Sequence, residues 1–268
     1  MQRLKEIVKH ILPGWLGKMC KRLYSRWCYL KVCGKFKGDK VYCPCCNRKF
    51  SGFQTFTFDP KYRNPDFFKE NLDVVCPYCR SFPRHRIACN YLDKNNILPK
   101  NSISFHFAVP YAYELWFKRN NRKFISGDLF DKTADMKVDI LDTPFEDNKF
   151  DMISCDHVLE HVPNYRSAVK ELYRITKPGG YTFITVPLLE SLSTTYEDET
   201  VTTVEQRVKT FGQYDHVRIF GMDFSGAMSD VGFEVIVYDG DTCNEKIRPV
   251  IGPGNYDYNK AFVCKKPL

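Results

Sequence analysis

The sequence predicts an α/β protein built on a mostly parallel sheet with helices on both faces, and three features of the chain say so. Residues 137–140, 150–155 and 181–186 are apolar runs too short for helices and bounded by Asp, Pro or Gly, as strands buried on both faces are. From residue 103 onward such runs alternate with stretches of helical periodicity, which implies strand–helix–strand crossovers. Two carboxylates, Asp139 and Asp156, fall where strands are expected to end. Ligands of open α/β sheets sit beyond the carboxyl ends of the strands, so these acids are candidates to face one. Capping of turns and helices is their plainer role.

Taken in order, residues 1–33 place Leu4, Ile7, Val8, Ile11 and Leu12, then Trp15, Leu16, Met19, Leu23, Trp27 and Leu30 at helical spacing, split at Pro13-Gly14. Two amphipathic helices about a hinge are expected there. Residues 41–80 are rich in cysteine and turn formers. A helix is expected from Pro83, because Ile87, Ala88, Tyr91 and Leu92 share a face and proline fits a first turn. Strand 103–107, helix 112–119 and strands 123–125, 137–140 and 150–155 follow. The next helix carries Tyr165, Ala168, Val169, Leu172 and Tyr173, and Lys177-Pro178-Gly179-Gly180 breaks it before strand 181–186. After an insert at 189–211 come helix 221–231 and strands 233–238 and 261–265. The organisation expected is a basic helical segment (1–40), a cysteine module (41–82) and the α/β domain (83–268).

The net charge of +8 is unevenly spread: residues 1–40 hold eleven Lys and Arg against Glu6 and Asp39, or +9, leaving −1 for residues 41–268. A nucleic-acid partner would need a basic surface on the folded body, so none is expected. The basic N-terminal helices, with Trp15, Tyr24, Trp27 and Tyr29, suit peripheral contact of residues 1–33 with an anionic membrane as well as they suit packing on protein. No uncharged apolar run reaches the roughly 20 residues of a spanning helix, and Lys5, Glu6 and Lys9 interrupt any secretory core. A cytoplasmic protein, peripheral at most at the inner face of the membrane, is the expectation.

Four of the twelve cysteines form two Cys-x-x-Cys knuckles, Cys43-Pro-Cys-Cys46 and Cys76-Pro-Tyr-Cys79, with 29 residues between them. Without an export signal this pattern favours metal over disulfides. Four thiolates suit tetrahedral Zn²⁺ in a closed structural site, with Cys43, Cys46, Cys76 and Cys79 as ligands. Cys45 could replace Cys46, and an iron–sulfur cluster is the other possible Cys₄ occupant. Directly afterwards, Ser81-Phe-Pro-Arg-His-Arg86 puts two arginines into the first turn of a helix, where the macrodipole disfavours cations. Arg84 and Arg86 are expected either to bind an anion or to seat the cysteine module through backbone carbonyls.

Asp139-x-x-x-x-Pro-Phe, Phe150-Asp151, Leu159-Glu-His-Val162 and Lys177-Pro-Gly-Gly180 together resemble a class I S-adenosylmethionine-dependent methyltransferase over roughly residues 103–265. The resemblance implies a Rossmann-like sheet with S-adenosylmethionine as methyl donor. It implies that Asp128, with Leu129 beside it, binds the ribose hydroxyls, that Asp139 takes the adenine amino group and the Ile140 backbone the ring edge, and that Cys155 and Asp156 line the methionine end. His106 and Ala108 stand in the loop after the first strand, where such proteins usually carry glycines; here it reads His106-Phe-Ala-Val-Pro-Tyr111, without one.

A narrower likeness, through the cysteine ribbon, Arg-His-Arg and Asp215-His-Val-Arg218, is to bacterial methyltransferases associated with surface-polysaccharide assembly. It implies a sugar hydroxyl or another small polar group, free or on a glycan, as acceptor. An RNA base methyltransferase and a non-catalytic scaffold on the same fold are the competing readings, the missing glycines speaking for the scaffold. His157 and His161, expected one helical turn apart beyond the fourth strand, are the candidate general bases, with Asp215-His216-Val-Arg218 a second cluster. A structural, hydrogen-bonded histidine is the alternative for each.

Overall fold

The chain is described by a computed structural model that covers residues 30–67, 71–120, 122–243, 247 and 260–268. The expected amphipathic helices lie outside these residues except at 30–33, which are helical. Two small antiparallel pairs come first, β1 (Val41–Cys43) with β2 (Arg48–Phe50) and β3 (Gln54–Phe56) with β4 (Asn71–Val75). Then follow α1 (Pro83–Asn95), β5 (Ile103–Phe107), α2 (Tyr111–Arg119), β6 (Lys123–Asp128), β7 (Met136–Lys137), β8 (Phe150–Asp156), α3 (Tyr165–Ile175) and β9 (Thr176–Thr185). The chain continues through β10 (Tyr196–Glu197), α4 (Val204–Phe211), β11 (Arg218–Ile219), α5 (Phe224–Ser229), β12 (Glu234–Asp239) and β13 (Lys260–Lys265).

Seven strands form one sheet in the order β12-β13-β9-β8-β5-β6-β7. β5 to β9 are mutually parallel, whereas β13 runs antiparallel to both β9 and β12. The chain builds outward from β5 through β6 to β7, then crosses back to lay β8 on the other side of β5. This reversal makes the boundary between β5 and β8 the switch point, where open α/β sheets leave a crevice beyond the strand ends.

Strand alternation divides the side chains between two layers. Phe105, Phe107, Ile153, Cys155, Ile184 and Phe262 pack with Ala168, Val169 and Leu172 of α3 and Phe224 and Met228 of α5. Met152, Phe183 and Val263 face the other way, onto Ala88, Tyr91 and Leu92 of α1 and Tyr113, Trp116 and Phe117 of α2. Cys43, Phe50 and Phe53 belong to that second layer, so the cysteine module covers the same face of the sheet as α1 and α2. Gly127 is dictated by the first layer: a Cβ there would stand 2.3 Å from Cζ of the buried Phe105.

Three elements differ from the sequence expectation. Of the run 137–140 only Lys137 pairs with β6, next to Met136, because Asp139 Oδ1 accepts the Leu141 N–H at 2.9 Å and turns the chain; Val138 and Ile140 are buried as loop residues. Lys177-Pro-Gly-Gly180 is not a loop. α3 stops at Ile175 and β9 begins at once, with a register shift opposite Phe150 and Met152 and Gly179 at φ 74°, a bulge that glycine's positive φ permits. The insert at 189–211 is ordered by β10 and by α4, whose N-terminus carries a Thr203/Gln206 capping box. Among the described residues no helix is long and apolar enough to cross a membrane.

Candidate functional site

The two knuckles repeat one local geometry. Cys43 ends β1, and the turn after it closes at Asn47, φ 55°; Cys76 follows β4, and its turn closes at Arg80, φ 61°, with the Arg80 N–H donating to the Cys76 carbonyl at 3.1 Å. Both turns therefore end on a left-handed residue, and they aim their thiols at each other. The Sγ atoms of Cys43 and Cys79 lie 3.5 Å apart and those of Cys46 and Cys76 3.8 Å apart, with all four within 4.8 Å. Cys45 is fully buried but outside this quartet.

Arg86 lies buried behind the quartet. Its Nε donates to the Ile247 carbonyl at 2.9 Å and Nη1 to those of Val74 (2.9 Å) and Ser81 (2.8 Å), with the guanidinium 4.1 Å from the Phe53 ring centroid. Arg86 therefore seats the cysteine module and is not an anion site.

The first turn of α1 reaches the crevice through Asp156, the last residue of β8. Oδ2 of Asp156 accepts from Arg84 Nε at 3.2 Å and His85 Nε2 at 2.7 Å, while Oδ1 accepts from the Thr185 hydroxyl. The Phe82 N–H donates to His85 Nδ1 at 3.0 Å, so the neutral ring carries its proton on Nε2 and points it at Asp156. That ring also supplies the helix cap that Phe82, lacking a side-chain oxygen, does not. Burial alone would raise the Asp156 carboxyl; Arg84 and His85 hold it well below the usual carboxylate range. The structure thus places Asp156 inside a protein network, and Cys155, pointing to the opposite layer, is buried among core side chains.

The switch-point crevice is flanked by two residues in left-handed backbone, Ala108 after β5 (φ 49°) and His157 after β8 (φ 53°). Ala108 is exposed and its N–H donates to the Gly127 carbonyl at 3.0 Å, tying the loop to the end of β6. Left-handed conformations cost a non-glycine residue energy and cluster where a ligand must meet the backbone. Asp128 and Asp139 do cap turns: Oδ1 of Asp128 accepts the Phe130 and Asp131 N–H groups at 2.7 Å each, and Oδ1 of Asp139 that of Leu141. The second oxygen of each has no donor among the described residues. Leu129, Phe130 and Leu141 beside them are exposed, Phe130 by 86%, whereas Ile140 is buried.

His106 lies elsewhere. It points into the α2 layer, 4.5 Å from the Phe117 ring and 5.6 Å from that of Phe124, with Nδ1 2.5 Å from Ser154 Oγ. Burial pushes this imidazole down from 6.5 to about 3. Between those values the unfolded chain holds a proton that the folded chain refuses. The contribution is absent above pH 6.5 and destabilises progressively as pH falls towards 3, at up to about 1.4 kcal/mol per pH unit. His106→Phe, which fits the aromatic surroundings, should flatten the decline in melting temperature between pH 6.5 and 4; an unchanged slope would assign the acid sensitivity to another group.

Beyond β8 the chain makes a single 3-10 turn, Leu159–His161, not the helix expected there. Glu160 is 1% exposed, and its carboxylate contacts His157 Nδ1 at 3.0 Å and His161 Nε2 at 4.0 Å without hydrogen-bond geometry to any donor. His161 Nδ1 lies 3.2 Å from the Asp215 carbonyl oxygen and 3.5 Å from Asp215 Oδ2, and its ring meets that of His216 edge to face at 4.9 Å. Burial would raise the Glu160 carboxyl and the three imidazoles together bring it down to about 2, but burial also pushes His157 down and His216 to about 4. Both effects are not in force together at neutral pH: we take the state as a carboxylate facing neutral His157 and His216 rings.

Arg218 fixes this corner, donating to the carbonyls of Leu159 (2.6 Å), Val162 (2.5 Å) and Pro163 (2.7 Å) and to Glu197 Oε1 (2.6 Å). The structure therefore joins His157 and His161 to the 215–218 cluster. Glu160, which sequence reasoning passed over, is the centre of the group; its signal was an acid set between two histidines.

Residues 117–184, which run from the end of α2 through β9, match a family model described as a methyltransferase domain. Among curated proteins, the demethylmenaquinone methyltransferase of Staphylococcus epidermidis is 38% identical over 64 residues, 22% of this chain and 27% of the relative. That of Staphylococcus aureus is 43% identical over 56 residues, 19% of this chain and 23% of the relative. The chain thus spans about a quarter of the length of these curated relatives. Among solved structures, the YcgJ protein of Bacillus subtilis aligns at a TM-score of 0.46 and 14% identity, covering 69% of this chain and 99% of the other. A SAM-dependent methyltransferase from Archaeoglobus fulgidus aligns at 0.44 and 13%, covering 68% and 94%.

Proposed function

We propose that this chain is an S-adenosylmethionine-dependent methyltransferase whose acceptor is a sugar hydroxyl or similar small polar group. The observation that carries the reading is the switch point between β5 and β8, bordered by the left-handed Ala108 and by acids at the end of β6 and after β7; both acids and β8 lie within residues 117–184, which match a methyltransferase domain. Ala108 adopts the backbone that a glycine would supply, so a glycine-free loop remains compatible with close approach of a ligand to its amides. Asp128 and Asp139 fit the nucleoside: each uses one oxygen on its own turn and offers the other, Asp128 to ribose hydroxyls and Asp139 to the adenine amino group. When bound, the cofactor supplies an electrophilic methyl on a sulfonium; the protein's part is to hold the acceptor oxygen in line and keep water out. His161, 31% exposed on its side chain, is the imidazole at the site most accessible to an acceptor.

The cysteine quartet fits structural zinc. Four sulfurs at 2.3 Å from one ion are separated by about 3.8 Å along a tetrahedron's edge, and the Cys43–Cys79 and Cys46–Cys76 Sγ separations are 3.5 and 3.8 Å, with all four atoms within 4.8 Å. All four positions would be filled, so this metal would brace the module and do no chemistry.

The narrower likeness favours a glycan acceptor, and basic residues 1–40 would suit a cytoplasmic enzyme meeting lipid-carried substrate at a membrane surface. The charge of −1 over residues 41–268 weighs against RNA. Isothermal calorimetry with S-adenosylmethionine tests the central claim. We expect one site per chain, weakened at least tenfold, about 1.4 kcal/mol, by Asp128→Ala. No heat from the wild-type chain would leave the scaffold reading in its place.

A further inference from the structure

Glu160, His161 and His216 come from two separate stretches, and one ligand atom from each lies within 4.8 Å of the others. Two imidazoles and one carboxylate are a donor set that first-row divalent cations accept while keeping coordination positions open. Two further observations point to a ligand. Glu160 is 1% exposed, with Oε1 3.0 Å from His157 Nδ1 but outside hydrogen-bond geometry and Oε2 without a partner, and His216 is 3% exposed with Nδ1 unpartnered. Buried carboxylates are ordinarily paired with a cation or placed on metal, whereas Glu160 faces imidazole rings. Arg218 does not serve as the counter-charge, since its donors go to three carbonyls and Glu197.

The orientation of His161 adds a directional argument. Its Nδ1 sits against the Asp215 carbonyl and carboxylate, the arrangement that holds a metal-binding histidine with its proton on the outer nitrogen. That tautomer turns the Nε2 lone pair towards Glu160 Oε1, 4.0 Å away. A lone pair facing a carboxylate is repulsive unless a cation lies between them. Ligands 2.1 Å from an octahedral ion stand about 3.0 Å apart, so the His161–Glu160 pair must close by about an ångström, a movement open to the partly exposed His161 ring. The frame is already rigid: Arg218 ties down the 159–163 carbonyls, and the Val217 N–H donates to the Glu160 carbonyl at 3.0 Å.

We propose that Glu160, His161 and His216 bind a first-row divalent cation whose open positions take an acceptor hydroxyl beside the switch-point crevice. The second clause rests on the methyltransferase reading; the first does not. A cation there would polarise the hydroxyl: its proton leaves to water, the C–O bond forms, and the sulfonium S–C bond breaks with its electron pair going to sulfur. His161 would then be a ligand and not the general base.

The test is a titration of Mn²⁺ into the zinc-loaded full chain without S-adenosylmethionine, read by loss of the free-ion electron paramagnetic resonance signal. Manganese does not compete for four thiolates. One Mn²⁺ per chain is expected, weakened at least tenfold by Glu160→Gln and by His216→Ala, with zinc content unchanged. Glu160→Gln should melt no lower than wild type without manganese, because it keeps the shape and removes a buried charge that faces only imidazoles. A wild-type chain that leaves millimolar Mn²⁺ and Co²⁺ free, or variants that bind like wild type, would overturn the site. Cation binding without cofactor binding would instead retain the site and remove the methyltransferase reading.

Discussion

With zinc on the quartet, as proposed, Cys76→Ser should cost the protein that metal and, with it, the cooperative folding of the module that covers one face of the sheet. Structural zinc sites of this ligand type contribute on the order of 10–16 kcal/mol to folding at neutral pH, against roughly 5–15 kcal/mol for a whole domain. Losing one of four thiolates therefore removes a large share of what holds residues 41–82 together. The damage should spread, because Phe50, Phe53 and Cys43 share a core layer with α1, α2 and the sheet. We expect one zinc per wild-type chain and none in the variant by elemental analysis, with melting lowered by about 10 °C or more. Cys45→Ser is the control: it alters a buried thiol outside the quartet and should keep the metal. Zinc retained by Cys76→Ser, or lost from Cys45→Ser, would redraw the ligand set, and a coloured wild-type protein would point to an iron–sulfur cluster instead.

What could be read from the sequence was local. Strands β8 and β9 announced themselves as apolar runs, and the quartet did so because each knuckle is a short turn whose spacing fixes its thiols. The readings that failed depend on partners far along the chain. Val138 and Ile140 look like strand residues because they are buried, yet the Asp139 turn had already ended the strand. For Arg86 the sequence left two readings open, an anion site and a seat on backbone carbonyls, and the fold decided for the second by bringing it the carbonyls of Val74 and Ile247. His106 is instructive because its signal was present: in Phe105-His106-Phe107 the period of two sends the histidine to the face opposite its neighbours, towards Ser154 and α2. Its closeness in sequence to the Ala108 loop obscured that. For Glu160 no local pattern could reveal burial, since the ring that covers it, His216, arrives from beyond the 189–211 insert.

Asp156→Asn should be the most damaging single substitution at the crevice, because it strips the charge from an acceptor with two cationic or polarised donors fixed upon it. Arg84 and His85 come from α1 and Thr185 from β9, so the carboxylate joins the first turn after the cysteine module to the centre of the sheet. Removing one partner of such a buried pair costs about 3–5 kcal/mol, mostly through the charge left behind, which for a chain of this size is on the order of 10 °C in melting temperature. Asp128→Ala should cost far less, since it loses only the cap of an exposed turn. The pairing is testable by a double-mutant cycle with Arg84→Met. If the orphaned guanidinium carries the penalty, Asp156→Asn will be milder in the Arg84→Met background; additive losses would show that His85 and Thr185 carry it. The acid limb gives a second reading with a defined sign. A carboxyl held well below its usual range stabilises the fold above about pH 4, and that contribution is lost as pH falls through the depressed value. The wild type should therefore surrender stability below pH 4 that the Asn variant never had, so the two unfolding curves should converge in acid; curves that stay parallel would mean the carboxylate acts through packing and not through its charge.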